Sequence, residues 1–579
     1  MIAMKKMTTK ARLFLAGSFT GVAIMFLVSF DNYFEISKNM EIYSAVMKEL
    51  NIYYVDEIKP GDLTKTGLDA MLESLDPYTV YIPESMVEDH RMSTTGQYGG
   101  IGAVIRKKGD YVMITEPYEG TPAQKAGLQA GDLIIEVAGQ STKGKTSDEV
   151  VKFLRGAASS SVQIKVKREG SVNDVVVDLV REEIKIPNVP YYGMYDNEIG
   201  YIKLKGFTSN AGGEVQAALT DLKQKNPGMK GIVLDLRGNP GGLLREAINV
   251  VNVFVDKNQN VVSTKGKVSE WNKTYKTINE ATDGQLPLAV LVDRGSASAS
   301  EIVSGTIQDL DRGVIIGQRS FGKGLVQTTR PLVYNAQLKL TTSKYYIPSG
   351  RCIQALDYSH RNADGSVGTI PDSLRSKFKT KSGRVVYDGG GIYPDVSIKP
   401  RKYSNILRSL VINSLIFDYA TVYKSKHPQI ASARDFVLTE ADYNDFIAYL
   451  KDKTYEYTTE SEKLLDEFKK IAEKEHYYTE IQTEFDALYT KKKATKANDL
   501  QKFKPEIMEF ITEEIVSRYY YQKGRIESSF ATDLEMKEAV AILKDGARYK
   551  TILSEGYEIK LIDYEAEADE EEQMVIEEE

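Results

Sequence analysis

Cysteine is almost missing from this sequence. One thiol, Cys352, occurs in 579 residues, which excludes an intramolecular disulfide and any multi-cysteine zinc cluster. Its scarcity does not exclude export, because an exported chain need not carry cysteine. Histidine is also rare: His90, His360, His427 and His476 are all there is, so few side chains could serve as a histidine general base. Basic charge is not in excess. Lys and Arg number 75 against 82 Asp and Glu, a formal net charge of −7, which leaves no overall footprint for nucleic acid. Apolar residues at 42% and charged residues at 27% are ordinary for a soluble globular chain. No repeat of fixed period is visible, and the length demands several domains.

One apolar stretch stands out. Lys5, Lys6, Lys10 and Arg12 precede Leu13–Phe30, 18 residues without a charge. That length is at the lower edge of a bilayer span, and the basic flank should remain cytoplasmic. The stretch ends Leu-Val-Ser-Phe-Asp, a poor cleavage site, so an uncleaved anchor is favoured over a removed signal peptide, with a buried core helix as the third reading. Either export reading puts the remainder outside the cytoplasm, on the periplasmic face of the inner membrane. At the other end, residues 563–579 are rich in acids and read as a solvated, disordered tail.

Between these ends the pattern changes three times. Residues 31–90 are helical, with Met40, Tyr43, Met47 and Leu50 at three- and four-residue steps, and Leu75-Asp76-Pro77-Tyr78-Thr79 reads as a turn. Residues 91–182 carry short β-branched runs and a helix over 147–155. Residues 183–402 alternate strand and helix, which predicts an α/β core with largely right-handed crossovers. Residues 403–562 are amphipathic helices; Leu464, Leu465, Phe468 and Ile471 recur at helical spacing and predict burial in a bundle or a dimer face.

In the β-rich module, Tyr98-Gly99-Gly100-Ile101-Gly102 is followed by Pro122-Ala123…Ala126-Gly127-Leu128…Gly131-Asp132. The two motifs together resemble a PDZ domain of the bacterial protease type. Gly99, Gly100, Ile101 and Gly102 would then form the loop whose backbone N–H groups receive a peptide carboxylate, with the peptide adding as a strand. A tight hairpin is the alternative for the glycines alone.

The stretch Asp293-Arg294-Gly295-Ser296-Ala297-Ser298-Ala299-Ser300-Glu301 follows a strand of buried type and opens a helix. A nucleophile there is held rigidly, and a helix N-terminus favours developing negative charge. Taken locally, Ser298 and Glu301 equally have the spacing of a capping box, and Ser296 and Ser300 are rival nucleophiles. A second stretch, Ser320-Phe321-Gly322-Lys323-Gly324, has a lysine between two glycines, unusual for a merely solvated charge. Together with Leu236-Arg237-Gly238-Asn239-Pro240-Gly241-Gly242, Tyr345-Tyr346-Ile347-Pro348-Ser349-Gly350-Arg351 and Gly391-Ile392-Tyr393-Pro394-Asp395, these blocks resemble the carboxyl-terminal processing proteases of peptidase family S41, in family order from about residue 35 to 400.

The resemblance implies an α/β protease core of the ββα-spiral, crotonase-like type with an inserted PDZ domain. It implies a serine endopeptidase with Ser298 as nucleophile, Lys323 as general base and Gln327 orienting the lysine. Ala299 and either Gly241 or Gly242 would supply the oxyanion-hole amides; a plain turn is the alternative for the latter two. A lysine can take a serine proton only if its pKa falls toward neutrality, which burial achieves. The expected substrates are proteins or peptides with free C-termini, the membrane is met through the N-terminal anchor, homo-oligomerisation is open, and no nucleic acid, metal or cofactor is implied. Cys352, where relatives often carry a hydroxyl, reads as a buried structural thiol. The competing function is a catalytically inactive scaffold of the same fold.

Overall fold

The computed structural model describes residues 33–562 except 363, 372, 373 and 497; the anchor over Leu13–Phe30 and the acidic tail lie outside the described residues. Among the described residues no helix is long and apolar enough to cross a membrane. The chain divides into two compact units, one of residues up to Glu84 with Thr328–Thr341, the other of Ser85–Gln327 with Thr342 onward.

In the first unit, helices over 33–53 and Pro60–Glu73 lead to a short strand, Val80–Ile82, that pairs antiparallel with Gln337–Lys339. The turn read at Leu75–Thr79 is held by Asp76, whose carboxylate accepts from the amides of Tyr78 and Thr79 and the hydroxyl of Thr341.

The second unit is built around a six-stranded sheet, β1 Tyr191–Met194, β2 Ile199–Lys203, β3 Gly231–Asp235, β4 Leu288–Val292, β5 Val314–Gly317 and β6 Val396–Ser397, which lie in chain order across the sheet. β1 is antiparallel to β2 and every other pairing is parallel. Helix α1 (Ala211–Lys225) joins β2 to β3, α2 (Leu244–Phe254) follows β3, and α3 (Ala299–Asp309) joins β4 to β5. β3, β4 and β5 are buried along their whole length, so their sequences read as unbroken apolar runs. The two-residue alternation survives in where they point. Ile202, Leu234, Val290 and Ile315 join the core under α1–α3, while Tyr201, Val233, Leu291 and Ile316 point into a second core on the opposite face. That second core is closed by α4 (Leu534–Lys544), with Met536, Ala539, Ile542 and Leu543 inward. One layer of this α/β core therefore comes from the C-terminal helices, a connection that local patterning over 403–562 does not carry.

The β-rich module is a six-stranded antiparallel sheet, in the order Ala103–Lys108, Tyr111–Pro117, Leu133–Val137, Ser161–Lys167, Val175–Val180, with Gln140–Ser141 paired beside Leu133–Val137. Helix Ser147–Leu154 packs on it, started by a Thr146–Glu149 capping box. Gln97–Gly100 pairs with Glu182–Lys185, bringing the two ends of the insertion together. Helices Asn405–Ile412, Leu415–Lys426, Glu440–Tyr449 and Lys504–Ser529 form a bundle around Leu410, Tyr419, Tyr443, Phe446, Ile507 and Ile511. Leu464, Phe468 and Ile471 are not part of it: they are 58%, 50% and 48% exposed. Their helix, Glu460–Lys474, stacks Phe468 on Phe485 of the next helix, so in the described chain the expected burial is not reached.

Candidate active site

Ser298 is the N-cap of α3, at the end of the loop that leaves β4. Its backbone has φ 55° and ψ −109°, outside the regions open to an L-residue without strain. The capping-box geometry is met from one side: the Ser298 N–H donates to Glu301 Oε2 at 2.8 Å, while the Glu301 N–H goes to the Ser298 carbonyl. The three serines of the motif are sorted by burial. Ser296 and Ser300 are fully buried and donate to the carbonyls of Leu236 and Asn239 at 2.9 and 2.8 Å, whereas Ser298 is half-buried.

The Asn-Pro-Gly-Gly loop after β3 packs directly against this turn. Asn239 is fully buried; its carbonyl accepts the Ala297 N–H at 3.0 Å and its amide donates to Leu204 O. Gly241 has φ 97°, and a Cβ there would stand 2.9 Å from both Ala299 N and Ser298 Cβ, so a glycine is required by both conformation and space. The Gly241 N–H donates to Asn239 Oδ1 at 2.9 Å. Among the described residues the amides of Ala299 and Gly242 donate to no such partner. Of the three candidate donors, then, these two have N–H groups not already committed inside the loop.

Lys323 and the Ser298 turn are joined by a residue the sequence offered only as a cap. Glu301 is fully buried and accepts four hydrogen bonds: from Ser298 N, from Ser320 Oγ at 2.6 Å, from Gly322 N at 2.7 Å and from Lys323 N at 2.9 Å. Burial pushes its carboxyl up to about 7, and the four donors pull against that. Its signal in the sequence was present, as a Glu three residues after a Ser at a helix start, but local spacing cannot say that a second loop shares the carboxylate. The other blocks converge on the same place. Tyr345 donates to the Ser298 carbonyl at 3.2 Å and its N–H to Gly324 O at 2.9 Å, Gly324 N donates to Gln354 at 2.7 Å, and Ile392 N to Ser320 Oγ at 2.7 Å. Lys323 and Gln327 are both half-buried, Gln327 on strand Leu325–Pro331.

A Ser-His-Asp grouping does occur at Asp357, Ser359 and His360, but it is an exposed surface cluster. Both neighbours meet the same ring nitrogen, Nδ1, at 2.7 and 3.1 Å, whereas a relay needs one partner on each nitrogen. Cys352 is half-buried rather than buried, and desolvation raises its pKa, which keeps it a thiol of low reactivity. Among the described residues no cluster of three or more His, Cys, Asp or Glu has a metal-holding arrangement.

In the β-rich module, Gly99 and Gly100 lie on the strand facing Glu183 and Glu182. Ile101 and Gly102 lead into edge strand Ala103–Lys108, and their carbonyls accept from Ala123 and Tyr118. Their own amides donate to no backbone or side-chain acceptor among the described residues.

Comparison with known proteins gives three matching families. Residues 198–359 match "Peptidase family S41", residues 113–168 "PDZ domain", and residues 406–543 "Probable PDZ-protease, C-terminal helical domain". A "Carboxy-terminal-processing protease" of Bartonella bacilliformis is 37% identical over 356 residues, 60% of this chain and 81% of the relative. A "Probable CtpA-like serine protease" of Staphylococcus aureus is 38% identical over 318 residues, 54% of this chain and 62% of the relative. A solved "photosystem II D1 C-terminal processing protease" is 28% identical, covering 62% of this chain and 88% of its own, with a TM-score of 0.34, too low to bear on the fold.

Proposed function

This chain belongs to peptidase family S41 as a carboxy-terminal processing serine peptidase with a PDZ domain, and from that premise we propose that Ser298 is its nucleophile, Lys323 its general base and Gln327 the group that orients the lysine. The observation that carries this reading is the backbone of Ser298, strained at φ 55° on the only serine of its motif that is not fully buried.

In the proposed reaction a substrate's C-terminal carboxylate is received where the Gly99–Gly102 segment leaves its strand pairing, by the amides of Ile101 and Gly102, and its chain adds along edge strand Ala103–Lys108. Ser298 Oγ adds to a peptide carbonyl carbon and gives its proton to the neutral Lys323 amine. The oxyanion is received by the N–H groups of Ala299 and Gly242, each donor being worth about 3 kcal/mol. Lys323 then passes the proton to the leaving amine as the C–N bond breaks, and water, deprotonated in turn by Lys323, hydrolyses the acyl-enzyme. Glu301 takes no proton in this scheme; its carboxylate spans the amides of Ser298 and Lys323 and so sets the spacing of the two loops. Attachment to the inner membrane with the protease on its periplasmic side is part of the proposal and rests on Lys5–Phe30 alone.

The test is cleavage of an unfolded protein by the purified chain beside Ser298→Ala and Lys323→Ala. Each substitution is expected to lower kcat by roughly 10⁴-fold or more. Undiminished cleavage by either variant would refute the assignment.

A further inference from the structure

Arg237 opens the loop that ends in Gly241 and Gly242, and it is held from both sides. Toward the core, its Nε and one terminal nitrogen donate to the two oxygens of Asp235 at 3.1 and 2.7 Å. Toward the C-terminus, both terminal nitrogens donate to Asp533, at 3.0 and 2.7 Å, and one reaches Glu535 at 3.4 Å. The side chains are well shielded: Asp235 is 1% exposed, Asp533 9% and Arg237 19%. Asp235 is itself fixed by the Tyr201 hydroxyl at 2.6 Å and by Lys203, which also donates to the Arg237 carbonyl. Immediately downstream, Gly238 N donates to Asp293 Oδ1 at 2.8 Å, and Asn239 carries the contacts to the nucleophile turn described above.

Asp533 has a second task. Its Oδ1 accepts the Met536 N–H at 2.9 Å, which caps α4, and α4 is the helix that covers the outer face of the sheet. The guanidinium is planar and its fork fixes direction as well as charge. A bidentate contact at the first residue of a short loop therefore constrains the orientation of everything before the next anchor.

We propose that Asp533 is a positioning residue for peptide hydrolysis: through Arg237 it holds the Gly238–Gly242 loop so that the Gly242 amide faces the oxyanion, which makes the C-terminal helical segment part of the catalytic apparatus. The inference rests on the Ser298–Lys323 reading. Its energetic basis is alignment, since a displacement of about 1 Å at a reacting centre costs on the order of 100-fold in rate.

The variant that isolates this role is Asp533→Asn in the full chain. Asparagine remains a good N-cap, so α4 keeps its start, while the charge and one arm of the fork are lost. Three quantities are compared with wild type: kcat and KM on a peptide substrate, and the affinity of a short peptide aldehyde. With the aldehyde, Ser298 Oγ bonds to the carbonyl carbon, the C=O π pair moves to oxygen and the hydroxyl proton passes to Lys323, so binding reports the oxyanion site directly. The expected result is a 10- to 100-fold fall in kcat and a similar loss of aldehyde affinity, KM within about twofold, and recovery of most of the loss in Asp533→Glu.

A lowered thermal midpoint with kcat and aldehyde affinity unchanged would overturn the inference and leave Asp533 a structural cap. Should Asp533→Asn be too unstable to assay, Glu535→Gln, which neutralises the acceptor of the 3.4 Å contact, is expected to give a two- to threefold effect in kcat and aldehyde affinity; no effect there overturns the inference as well. A wild-type chain that neither cleaves nor binds the aldehyde would instead refute the Ser298–Lys323 assignment on which the inference stands.

Discussion

A non-glycine residue at φ 55° and ψ −109° stores strain of about 1–3 kcal/mol, and such strain persists where the surroundings over-determine the conformation. At Ser298 those surroundings are explicit: its N–H is held by Glu301, its carbonyl by Tyr345, and Gly241 passes beneath its Cβ. Replacing Ser298 by glycine relieves the strain, partly offset by the extra freedom glycine has when unfolded, about 0.5–1 kcal/mol. Ser298→Gly should therefore be inactive yet more stable than wild type by about 1 kcal/mol. Ser298→Ala, which keeps the Cβ, should be inactive without that gain. Parallel denaturant titrations of the two variants check this; equal stabilities would mean that the backbone at 298 is not strained.

The same reasoning moves up one level at α3, where Glu301 ties the first turn of a helix to the Gly-Lys-Gly loop 20 or so residues on. Its carboxyl is raised to about 7 from an ordinary 4.5, first by burial. Because the folded state holds its proton more tightly than the unfolded one, this group's contribution is fully present below pH 4.5. It is lost as pH rises toward 7, by up to roughly 3 kcal/mol. Unfolding free energies measured from pH 4 to 8 should show that decline in wild type and a shallower one in Glu301→Gln; identical slopes would place the titration elsewhere.

How legible such elements were in the chain depended on whether their cause was local. β3, β4 and β5 announce themselves as short apolar runs, and α1–α3 fall between them as the strand–helix alternation over 183–402 predicts. The blocks around Ser298 and Lys323 were legible through resemblance, but the convergence of both on one buried carboxylate was not, because nothing in a Ser-x-x-Glu spacing says who else bonds to it. The run Tyr519-Tyr520-Tyr521 could not face one core as a regular helix. The chain resolves this by breaking the helix at Tyr521, φ 54°. Tyr519 and Tyr520 then donate to carbonyls of His427 and Ala431, while the Tyr521 hydroxyl accepts from Gln124 of the PDZ module. The exposed helix Glu460–Lys474 is the converse case, an amphipathic pattern whose Leu464, Phe468 and Ile471 stay exposed although Phe468 stacks on Phe485 of the next helix.

Across the second unit as a whole, the PDZ module is docked on the C-terminal helices through its edge strand. Arg106 donates to Ser414 Oγ at 3.0 Å and lies 5.7 Å over the Phe417 ring, and Lys108 pairs with Asp418 at 2.5 Å. These side chains belong to Ala103–Lys108, the strand along which a peptide would add, so docking and peptide addition share one element. A partly exposed ion pair is worth about 0.5–1 kcal/mol, and reversing one charge converts that attraction into repulsion of similar size. Asp418→Lys should therefore raise amide exchange over 103–108 about fivefold, an effect that weakens with salt, and Lys108→Asp in the same chain should restore protection. Deleting residues 95–180 is a poorer probe, because it removes Gln97–Gly100 from its pairing with Glu182–Lys185 and uncovers the helices beneath. If the module admits substrate to Ser298, Asp418→Lys should change cleavage of a protein with a free C-terminal tail several-fold while short-peptide cleavage stays within twofold. Equal changes on both substrates would show that docking of the PDZ module has no part in admitting the tail.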